Sequence, residues 1–305
     1  MTQPKALQNG DLVTIVATAR RISKEEISTM VHLLQQWGLE VCIPDGLFLT
    51  DNQFAGNDTH RATILQNAIN NPNIKAIFCA RGGYGTVRII DQIDFSALKK
   101  HPKWIVGYSD VTVLHSHIHT HIGIPTLHAT MAIDIPSNIP GNNLESAMSL
   151  REFLFEQKIS YTFPSHPLNR EGNVHGTIVG GNLSILYSIC GSSSDIKTDN
   201  KILFIEDLDE YLYHVDRMMH QLKRCGKLSN LKALVVGAMT SMHDNNIPFG
   251  QTAEEIILDA VREYNYPVYF NAPFGHISTQ NKALPLGIEM TIKSENNSVY
   301  IYYNN

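Results

Sequence analysis

Apolar residues follow two different spacings along the first half of this chain. Short apolar runs rich in β-branched residues predict buried strands, and apolar residues three or four positions apart predict helices. The strands are predicted at 11–17, 39–43, 75–80 and 104–106. The helices are predicted at 24–37 and 58–68, with a short one after Tyr84. Strands that alternate with helices in this way favour a parallel sheet covered by helices on both faces.

The first helix has signals at both of its ends. Ser23 is placed to cap the N-terminus, with Glu26 three positions on as its partner in a capping box. Gly38 is typical of the residue that ends a helix, because glycine adopts the left-handed conformation at little cost.

The second half repeats the alternation after a change in composition. Residues 164–173 are rich in proline, asparagine and other linker residues. Beyond them, strands are predicted at 174–179, 201–205, 231–236, 290–292 and 299–302, and helices at 211–224 and 252–263. We therefore predict an N-terminal α/β domain over 1–163, a linker over 164–173, and a C-terminal α/β domain over 174–305.

Composition narrows the class of protein. The chain has 305 residues, of which 43% are hydrophobic and 17% charged, as in soluble globular proteins. A net charge of −5 without a basic run argues against nucleic-acid binding. No apolar stretch reaches the roughly 18 residues of a membrane span, and the first ten residues lack the apolar core of a signal peptide. A cytoplasmic location and no membrane association are therefore expected.

The four cysteines are far apart and show no C-x-x-C spacing. Cys42 and Cys79 lie in strand-like apolar runs, where a buried reduced thiol is expected. Neither a disulfide framework nor a zinc site built on cysteine is predicted.

The segment from Trp104 to Thr112 is the most informative part of the chain. An apolar strand stops there at a sharp turn, and a helical pattern begins. A serine on such a turn projects its hydroxyl clear of the sheet, beside the free N–H groups of the helix. Ser109 is therefore a candidate nucleophile. A plain cap for the helix beginning at Val111 is the alternative, and the segment departs from the G-x-S-x-G pattern.

Two further polar residues follow predicted buried strands. Glu206 comes directly after the strand at 201–205, where a carboxylate can hold a histidine by its Nδ1–H. His276 lies in a loop after a strand that ends near Asn271, and its imidazole suits a general base because its pKa lies near neutrality. Taken singly, Glu206 could be one acid of a solvated loop, and His276 an ordinary loop histidine.

The turn Arg81-Gly-Gly-Tyr-Gly85 is rich in glycine. It lacks the lysine and hydroxyl residue of a Walker loop and the spacing of a dinucleotide-binding fingerprint. Its glycines would let backbone N–H groups approach a ligand oxygen, as an oxyanion hole or an anion cradle requires. A tight turn without a ligand is the alternative.

Four histidines alternate over 115–121. On a helix, His115 pairs with His119 and His117 with His121, on different faces. Zinc uses such pairs, but a catalytic zinc site normally has a third protein ligand, and no H-E-x-x-H motif is present. Helix packing or a surface position is therefore predicted, and no metal site.

Five segments together resemble a known family, the bacterial serine LD-carboxypeptidases, also called muramoyltetrapeptide carboxypeptidases. The segments occur in the family's order and span most of the chain. They are 81–85, 107–112, 180–184, 203–207 with Asp216-Arg217, and 273–276.

The resemblance implies a Ser-Glu-His triad in which Ser109 is the nucleophile, Glu206 the acid and His276 the base. It implies a flavodoxin-like N-terminal domain that carries the nucleophile. The C-terminal α/β domain, with a swivelling, barrel-like sheet, would carry the acid and the base. The active site would then lie in the cleft between the domains.

The resemblance also implies that the backbone N–H groups of Gly83 and Asp110 form the oxyanion hole. Arg81 and Tyr84, in the same turn, are candidates for binding the substrate. The implied substrate is a murein tetrapeptide, cut between a diamino acid and the terminal D-alanine during cytosolic peptidoglycan recycling. No metal or organic cofactor is implied, and family members are often homodimers.

Two segments depart from the family pattern. The chain has Ala17-Thr-Ala-Arg20 where a Pro-Ser pair is common, and His128-Ala-Thr-Met131 where His-Gly-Pro-Met is common. Both are expected near the substrate cleft. One alternative function is hydrolysis of peptidyl- or aminoacyl-nucleotides, as in microcin C self-immunity. An alternative of another class is a non-enzymatic module that binds an anion or a nucleotide through 81–85.

Overall fold

Two open β-sheets flanked by helices organise the chain in a computed structural model that describes residues 3–137 and 144–303. Residues 1–2, 138–143 and 304–305 fall within the predicted domain ranges but lie outside the described residues. Every helix in the described part of the chain is too short or too polar to span a bilayer.

The strands and helices of the described residues are numbered in chain order. The strands are β1 (Leu12–Val16), β2 (Glu40–Cys42), β3 (Ile74–Cys79), β4 (Trp104–Gly107), β5 (Thr126–His128), β6 (Ile159–Pro164), β7 (Asn173–Asn182), β8 (Ile202–Leu208), β9 (Ala233–Thr240), β10 (Val268–Tyr269), β11 (Leu284–Leu286), β12 (Glu289–Glu295) and β13 (Ser298–Tyr303). The helices are α1 (Lys24–Gln36), α2 (Asp58–Asn70), α3 (Ala97–Lys100), α4 (Thr112–His121), α5 (Glu145–Glu156), α6 (Leu183–Ser188), α7 (Leu212–Arg224) and α8 (Ala253–Ala260).

The first sheet has the strand order β11-β5-β4-β3-β1-β2. Strands β1 to β5 are parallel to their neighbours, and β11 is antiparallel to β5. The order 2-1-3-4-5 of the parallel strands is that of flavodoxin-like sheets, whose ligands bind beyond the carboxyl ends of the strands. The predicted flavodoxin-like sheet is therefore confirmed.

The second sheet has the order β10-β9-β8-β7-β12-β13-β6. Strands β7 to β10 are parallel, and β12, β13 and β6 continue the sheet in antiparallel fashion. The sheet is open, which corrects the expected barrel-like closure. The segment that leaves β6 crosses toward the opposite edge, where Arg170 exchanges two backbone hydrogen bonds of 3.0 Å with Val268 of β10. That edge is therefore partly covered by a connection instead of by β6.

The two sheets exchange one strand each. β6 lies within the range predicted for the N-terminal domain but pairs with β13 of the second sheet. β11 comes from the C-terminal half but pairs with β5 of the first sheet. One buried apolar cluster runs through both sheets and includes Val106, Ala129 and Phe204. The halves are thus held together by shared strands and a shared core, and the division at 164–173 stays a prediction.

Local signals at the first helix are confirmed. The Ser23 hydroxyl accepts from the Glu26 N–H, and the Glu26 carboxylate accepts from the Ser23 N–H, which completes the capping box.

The expectation for Cys42 is wrong: its thiol is exposed, whereas Cys79 is buried. Cys42 lies at the end of β2, an edge strand of three residues, so only one neighbouring strand covers it.

Candidate active site

Ser109 lies at the carboxyl end of β4, where the strand turns sharply into a helix. A single 3₁₀ turn over Ser109–Val111 leads directly into α4. Ser109 has a φ of +62°, in the left-handed region that residues other than glycine rarely adopt. Such strain persists only where the surroundings hold it, and it is frequent at functional sites. A similarly strained strand-to-helix turn presents the nucleophilic serine of α/β-hydrolases.

Packing around Gly107 explains why the turn is so sharp. A Cβ at this position would lie 2.9 Å from the Val111 side chain and 3.1 Å from that of Cys79. His115, in the first turn of α4, donates from Nε2 to the Gly107 carbonyl at 2.9 Å. Burial lowers the pKa of His115 to about 4, so its imidazole is neutral while it supports the strand end.

The glycine turn lies directly against Ser109. A Cβ at Gly82 would be 2.9 Å from the Ser109 Oγ and 3.5 Å from the backbone nitrogen of Asp110. The Asp110 carboxylate accepts a hydrogen bond from the Thr86 N–H at 2.9 Å, which anchors the far end of the turn. The structure therefore brings the glycine-rich backbone to the candidate nucleophile.

The two N–H groups proposed for the oxyanion hole belong to Gly83 and Asp110. Within the described residues, neither group donates to a protein acceptor. An oxyanion hole needs such free donors. The assignment stays a prediction that this feature supports.

Glu206 and His276 form a buried pair in the second half. Glu206 lies within β8 and is 0% exposed, so it does not belong to a solvated acidic loop. Its Oε2 accepts from the His276 Nδ1 at 2.6 Å and from the His276 backbone N–H at 3.2 Å. Because the carboxylate holds Nδ1–H, the other ring nitrogen, Nε2, is left to act as a base.

Gly275 allows the carboxylate to approach the histidine loop. It has a φ of +104°, and a Cβ there would lie 2.5 Å from the Glu206 Oε2. The Gly275 N–H donates to the Asn281 Oδ1 at 2.9 Å, and the Thr240 Oγ1 donates to the His276 carbonyl at 2.8 Å. The loop that carries the candidate base is therefore fixed from both sides.

The surrounding charges set the basicity of His276. Burial alone would lower its pKa, because desolvation disfavours the imidazolium. The hydrogen bond and charge of Glu206, together with the charges of Asp207 and Asp134, outweigh burial and raise the pKa of His276 above its usual value. This environment stabilises the imidazolium that forms when the base accepts a proton.

Asn182 is a site residue for which the sequence carries no signal beyond its place in 180–184. Its Nδ2 donates to the Asp207 carboxylate at 2.9 Å and to the Glu206 Oε1 at 3.4 Å. Its backbone N–H donates to the Thr112 Oγ1 at 3.0 Å. Asn182 therefore joins Glu206 in the second half to the helix that follows Ser109.

Tyr108 and Asp134 form a second link between the halves. The Tyr108 ring packs on the His276 ring with 4.8 Å between centroids, and its hydroxyl donates to the Asp134 Oδ1 at 3.2 Å. The Asp134 Oδ2 accepts from the Met131 N–H at 2.8 Å. No motif marks Asp134 in the sequence; it ends a single 3₁₀ turn, Ala132–Asp134, after β5.

The candidate nucleophile Ser109 and the candidate base His276 are not hydrogen-bonded to each other in this structure. The Ser109 Oγ makes no hydrogen bond to any described residue, His276 included. Such bonds are often long in ligand-free sites and tighten when substrate binds. The Tyr108–His276 contact nevertheless places the imidazole beside the residue that precedes Ser109.

The two candidate substrate residues of the turn lie at its rim. The Arg81 guanidinium donates to the Arg21 carbonyl at 3.2 Å and lies 3.7 Å from the Glu26 carboxylate. Tyr84 is 46% exposed, and its ring lies 6.1 Å from the ring of Phe54. Their roles in substrate binding stay predictions.

The run of alternating histidines packs α4 against the second half. Nδ1 of His117 hydrogen-bonds the Ser194 hydroxyl at 2.9 Å, and Nε2 of His121 donates to the Ser193 carbonyl at 2.7 Å. His119 contacts Gly287, where a Cβ would lie 2.1 Å from its Nε2. In the described part of the chain, no group of three or more possible ligands is placed to hold a metal ion.

Comparison with known families covers most of the chain. Residues 13–129 match the model of the LD-carboxypeptidase N-terminal domain, and residues 175–292 match that of the LD-carboxypeptidase C-terminal domain. The two matches together span more than half of the sequence, and they lie on either side of the predicted linker.

Individual relatives agree with these matches. A probable murein peptide carboxypeptidase of Bacillus subtilis is 33% identical, over 98% of this chain and 94% of its own. The murein tetrapeptide carboxypeptidase of Pseudomonas aeruginosa is 27% identical, over 90% and 91%. The muramoyltetrapeptide carboxypeptidase from Oxalobacter formigenes superposes with a TM-score of 0.86 at 27% identity, over 96% of this chain and 99% of that one. The microcin C7 self immunity protein MccF, at 22% identity over 98% of both chains and a TM-score of 0.84, shares the fold.

Proposed function

The chain belongs to the LD-carboxypeptidase family, and from this membership we propose that it is a serine carboxypeptidase acting on murein tetrapeptides. It would hydrolyse the L,D-peptide bond that releases the terminal D-alanine. The observation that carries the proposal is the buried Glu206–His276 pair beside the strained Ser109 turn. The murein peptide carboxypeptidases among its relatives support the choice of substrate. Cytosolic peptidoglycan recycling and a homodimer remain predictions.

The proposed reaction divides the hydrolysis into two steps. His276 takes the Ser109 proton at Nε2 as the Oγ attacks the scissile carbonyl carbon, and Glu206 stabilises the imidazolium. The N–H groups of Gly83 and Asp110 hold the oxyanion. The imidazolium then protonates the nitrogen of the departing D-alanine. Water, deprotonated by His276, attacks the acyl-enzyme, and Ser109 regains its proton as the shortened peptide leaves.

D-Alanine release from a murein tetrapeptide tests the substrate. The wild-type protein should release D-alanine, and Ser109→Ala should abolish both this release and covalent labelling by a fluorophosphonate. Turnover of only an aminoacyl sulfamoyl adenosine would instead support hydrolysis of nucleotide conjugates. Absence of labelling, together with stabilisation of the fold by a nucleotide, would support the non-enzymatic module.

Mutation of the acid and the base tests the triad. Glu206→Gln and His276→Ala should each lower kcat by on the order of 10³ or more, because both residues serve one proton transfer. The double variant should lose little more than either single variant. A loss equal to the product of the two single losses would contradict a shared role.

A further inference from the structure

Three arginines gather at the edge of the first sheet that carries Ser109. Arg20 and Arg21 follow β1, and Arg81 follows β3, the parallel neighbour of β1. Together with Asn52 and Gln53 they line a cavity of about 420 Å³. The lining therefore offers three cations and two amides and contains no carboxylate. This chemistry suits an anionic ligand at the edge of the sheet where ligands of such folds bind.

Arg20 contacts the glycine turn that lies against Ser109. A Cβ at Gly83 would lie 2.7 Å from the Arg20 Cδ and 2.8 Å from its Nε, so this side chain lies directly on Gly83. The preceding residue, Gly82, faces the Ser109 Oγ. Consecutive Cα atoms are about 3.8 Å apart, so Arg20 contacts the turn one residue away from the point where the turn meets the nucleophile.

The Arg20 guanidinium is not engaged by the protein. In the described part of the chain, no acceptor binds it. Arg81, by contrast, lies near the Glu26 carboxylate, and Arg88 pairs with Asp58 at 2.7 Å. A guanidinium carries five N–H donors in a planar fork that matches a carboxylate. The fork of Arg20 is therefore available to a ligand.

The backbone that carries Arg20 is fixed in place. The backbone of Arg20 forms an antiparallel β-bridge with Phe54. On either side of it, the Arg21 N–H donates to the Gln53 carbonyl at 2.9 Å, and the Ala55 N–H donates to the Ala19 carbonyl at 3.1 Å. Because the main chain is already fixed, only the Arg20 side chain has to be ordered when a ligand binds.

We propose that Arg20 binds the carboxylate of the departing D-amino acid and thereby selects the chain terminus for cleavage. This inference rests on the proposed function. In a peptide, the terminal carboxylate carbon lies two bonds beyond the scissile nitrogen, about 4 Å from the attacked carbonyl carbon. That separation matches the one-residue step from Gly82, which faces the nucleophile, to Gly83, which lies under Arg20. Arg20 also stands in the segment 17–20, where the chain departs from the family pattern.

Peptide binding to the Ser109→Ala variant, which should be unable to cleave the peptide, measures this subsite separately from catalysis. The probes are a murein tetrapeptide with a free terminal carboxylate and the same peptide as its C-terminal amide, each titrated calorimetrically into Ser109→Ala. The free acid should bind more tightly than the amide. Adding Arg20→Ala should weaken binding of the acid by about 10- to 100-fold, as expected for a charge-assisted hydrogen bond, and leave the amide unchanged.

Two further variants and a control sharpen the result. Arg20→Gln keeps a stem over Gly83 without the charge and should bind like Arg20→Ala, which guards against misfolding of the truncated variant. Arg20→Lys keeps the charge but loses the fork, so an intermediate affinity is expected. Arg151→Ala removes an exposed guanidinium from α5 with the same change in net charge, and should alter neither affinity.

The outcomes separate this inference from the proposed function. Equal binding of acid and amide by Ser109→Ala, or an acid preference that survives in folded Arg20→Gln, overturns the inference. Release of D-alanine by the wild-type protein is measured separately. A protein that prefers the acid through Arg20 but releases no D-alanine would retain the subsite and refute the proposed function.

Discussion

Replacing Gly275 by alanine should disable His276 as the proposed base, although no residue of the proposed triad is itself substituted. The new Cβ would lie 2.5 Å from the Glu206 Oε2 and 2.8 Å from both its Cβ and its Cγ. Glu206 cannot retreat, because it is fully buried in β8, between β7 and β9. The loop that carries His276 must therefore move outward, and the 2.6 Å hydrogen bond between Glu206 and His276 must lengthen or break.

The expected losses of stability and of kcat in Gly275→Ala have separate physical causes. Alanine at a φ of +104° is strained, at a cost of about 1–3 kcal/mol in folding free energy. Displacing catalytic groups by about 1 Å typically costs 10²-fold in rate, and loss of the acid's control over the histidine tautomer costs about 10⁴-fold in a comparable triad. We therefore expect kcat to fall by roughly 10²- to 10⁴-fold.

A second positive-φ glycine separates strain from the clash. Gly226 has a φ of +73°, and a Cβ there would meet no atom within 4 Å. Gly226→Ala should therefore lower the melting temperature by a similar strain but leave kcat for D-alanine release unchanged. If Gly275→Ala keeps a kcat within about threefold of Gly226→Ala, a difference below 1 kcal/mol in the barrier, the Glu206–His276 contact does not control the base.

Three further predictions concern the same site. Gly82→Ala places a methyl group 2.9 Å from the Ser109 Oγ. The value of kcat should therefore fall roughly tenfold or more, while the melting temperature stays near that of the wild type. An unchanged kcat would show that the turn can move away from Ser109. Asn182→Ala removes the N-cap of α6 and a donor to Glu206. The free energy of unfolding, measured by thermal denaturation, should fall by about 1 kcal/mol, and kcat should fall at nearly constant KM. A change in KM alone would contradict the assigned role. Because the pKa of His276 is raised, activity should be lost as pH falls through a value above that of an ordinary histidine, since the base must be unprotonated. Glu206→Gln should move this acid limb of the kcat/KM profile to lower pH, and an unmoved limb would exclude Glu206 as the cause.

The parallel sheet and its first helix could be predicted because their signals are local. β1 is a short run of β-branched and apolar residues, and its Val13, Ile15 and Val16 are buried in the apolar core, as expected for a sheet that helices cover on both faces. The capping box at Ser23 depends on residues three positions apart, so it requires no knowledge of the rest of the fold. Such elements are specified by neighbours in sequence.

The two exchanged strands, β6 and β11, could not be predicted, because each pairs with a strand that lies far away in sequence. β11 has three residues with Pro285 at its centre, which gives no periodic signal and removes one N–H donor. It is a strand only because β5 offers an open edge. Asn182 and Asp134 could not be identified from the sequence for the same reason. Asn182 matters through its contact with β8, and Asp134 through its contact with Tyr108.

The glycines of the motifs show how two halves can build one site. Gly82 faces Ser109 within the first half, Gly275 faces Glu206 within the second, and a Cβ at Gly181 would lie 2.5 Å from the Thr112 Oγ1 across the boundary. In each pair, a side chain on the glycine would push apart two segments that must lie close together for the proposed reaction. Proton transfer from nucleophile to base tolerates only fractions of an ångström of misplacement. The motif glycines therefore set the distances between the chemical groups, which is why the spaced motifs indicate an active site more strongly than Ser109, Glu206 or His276 does alone.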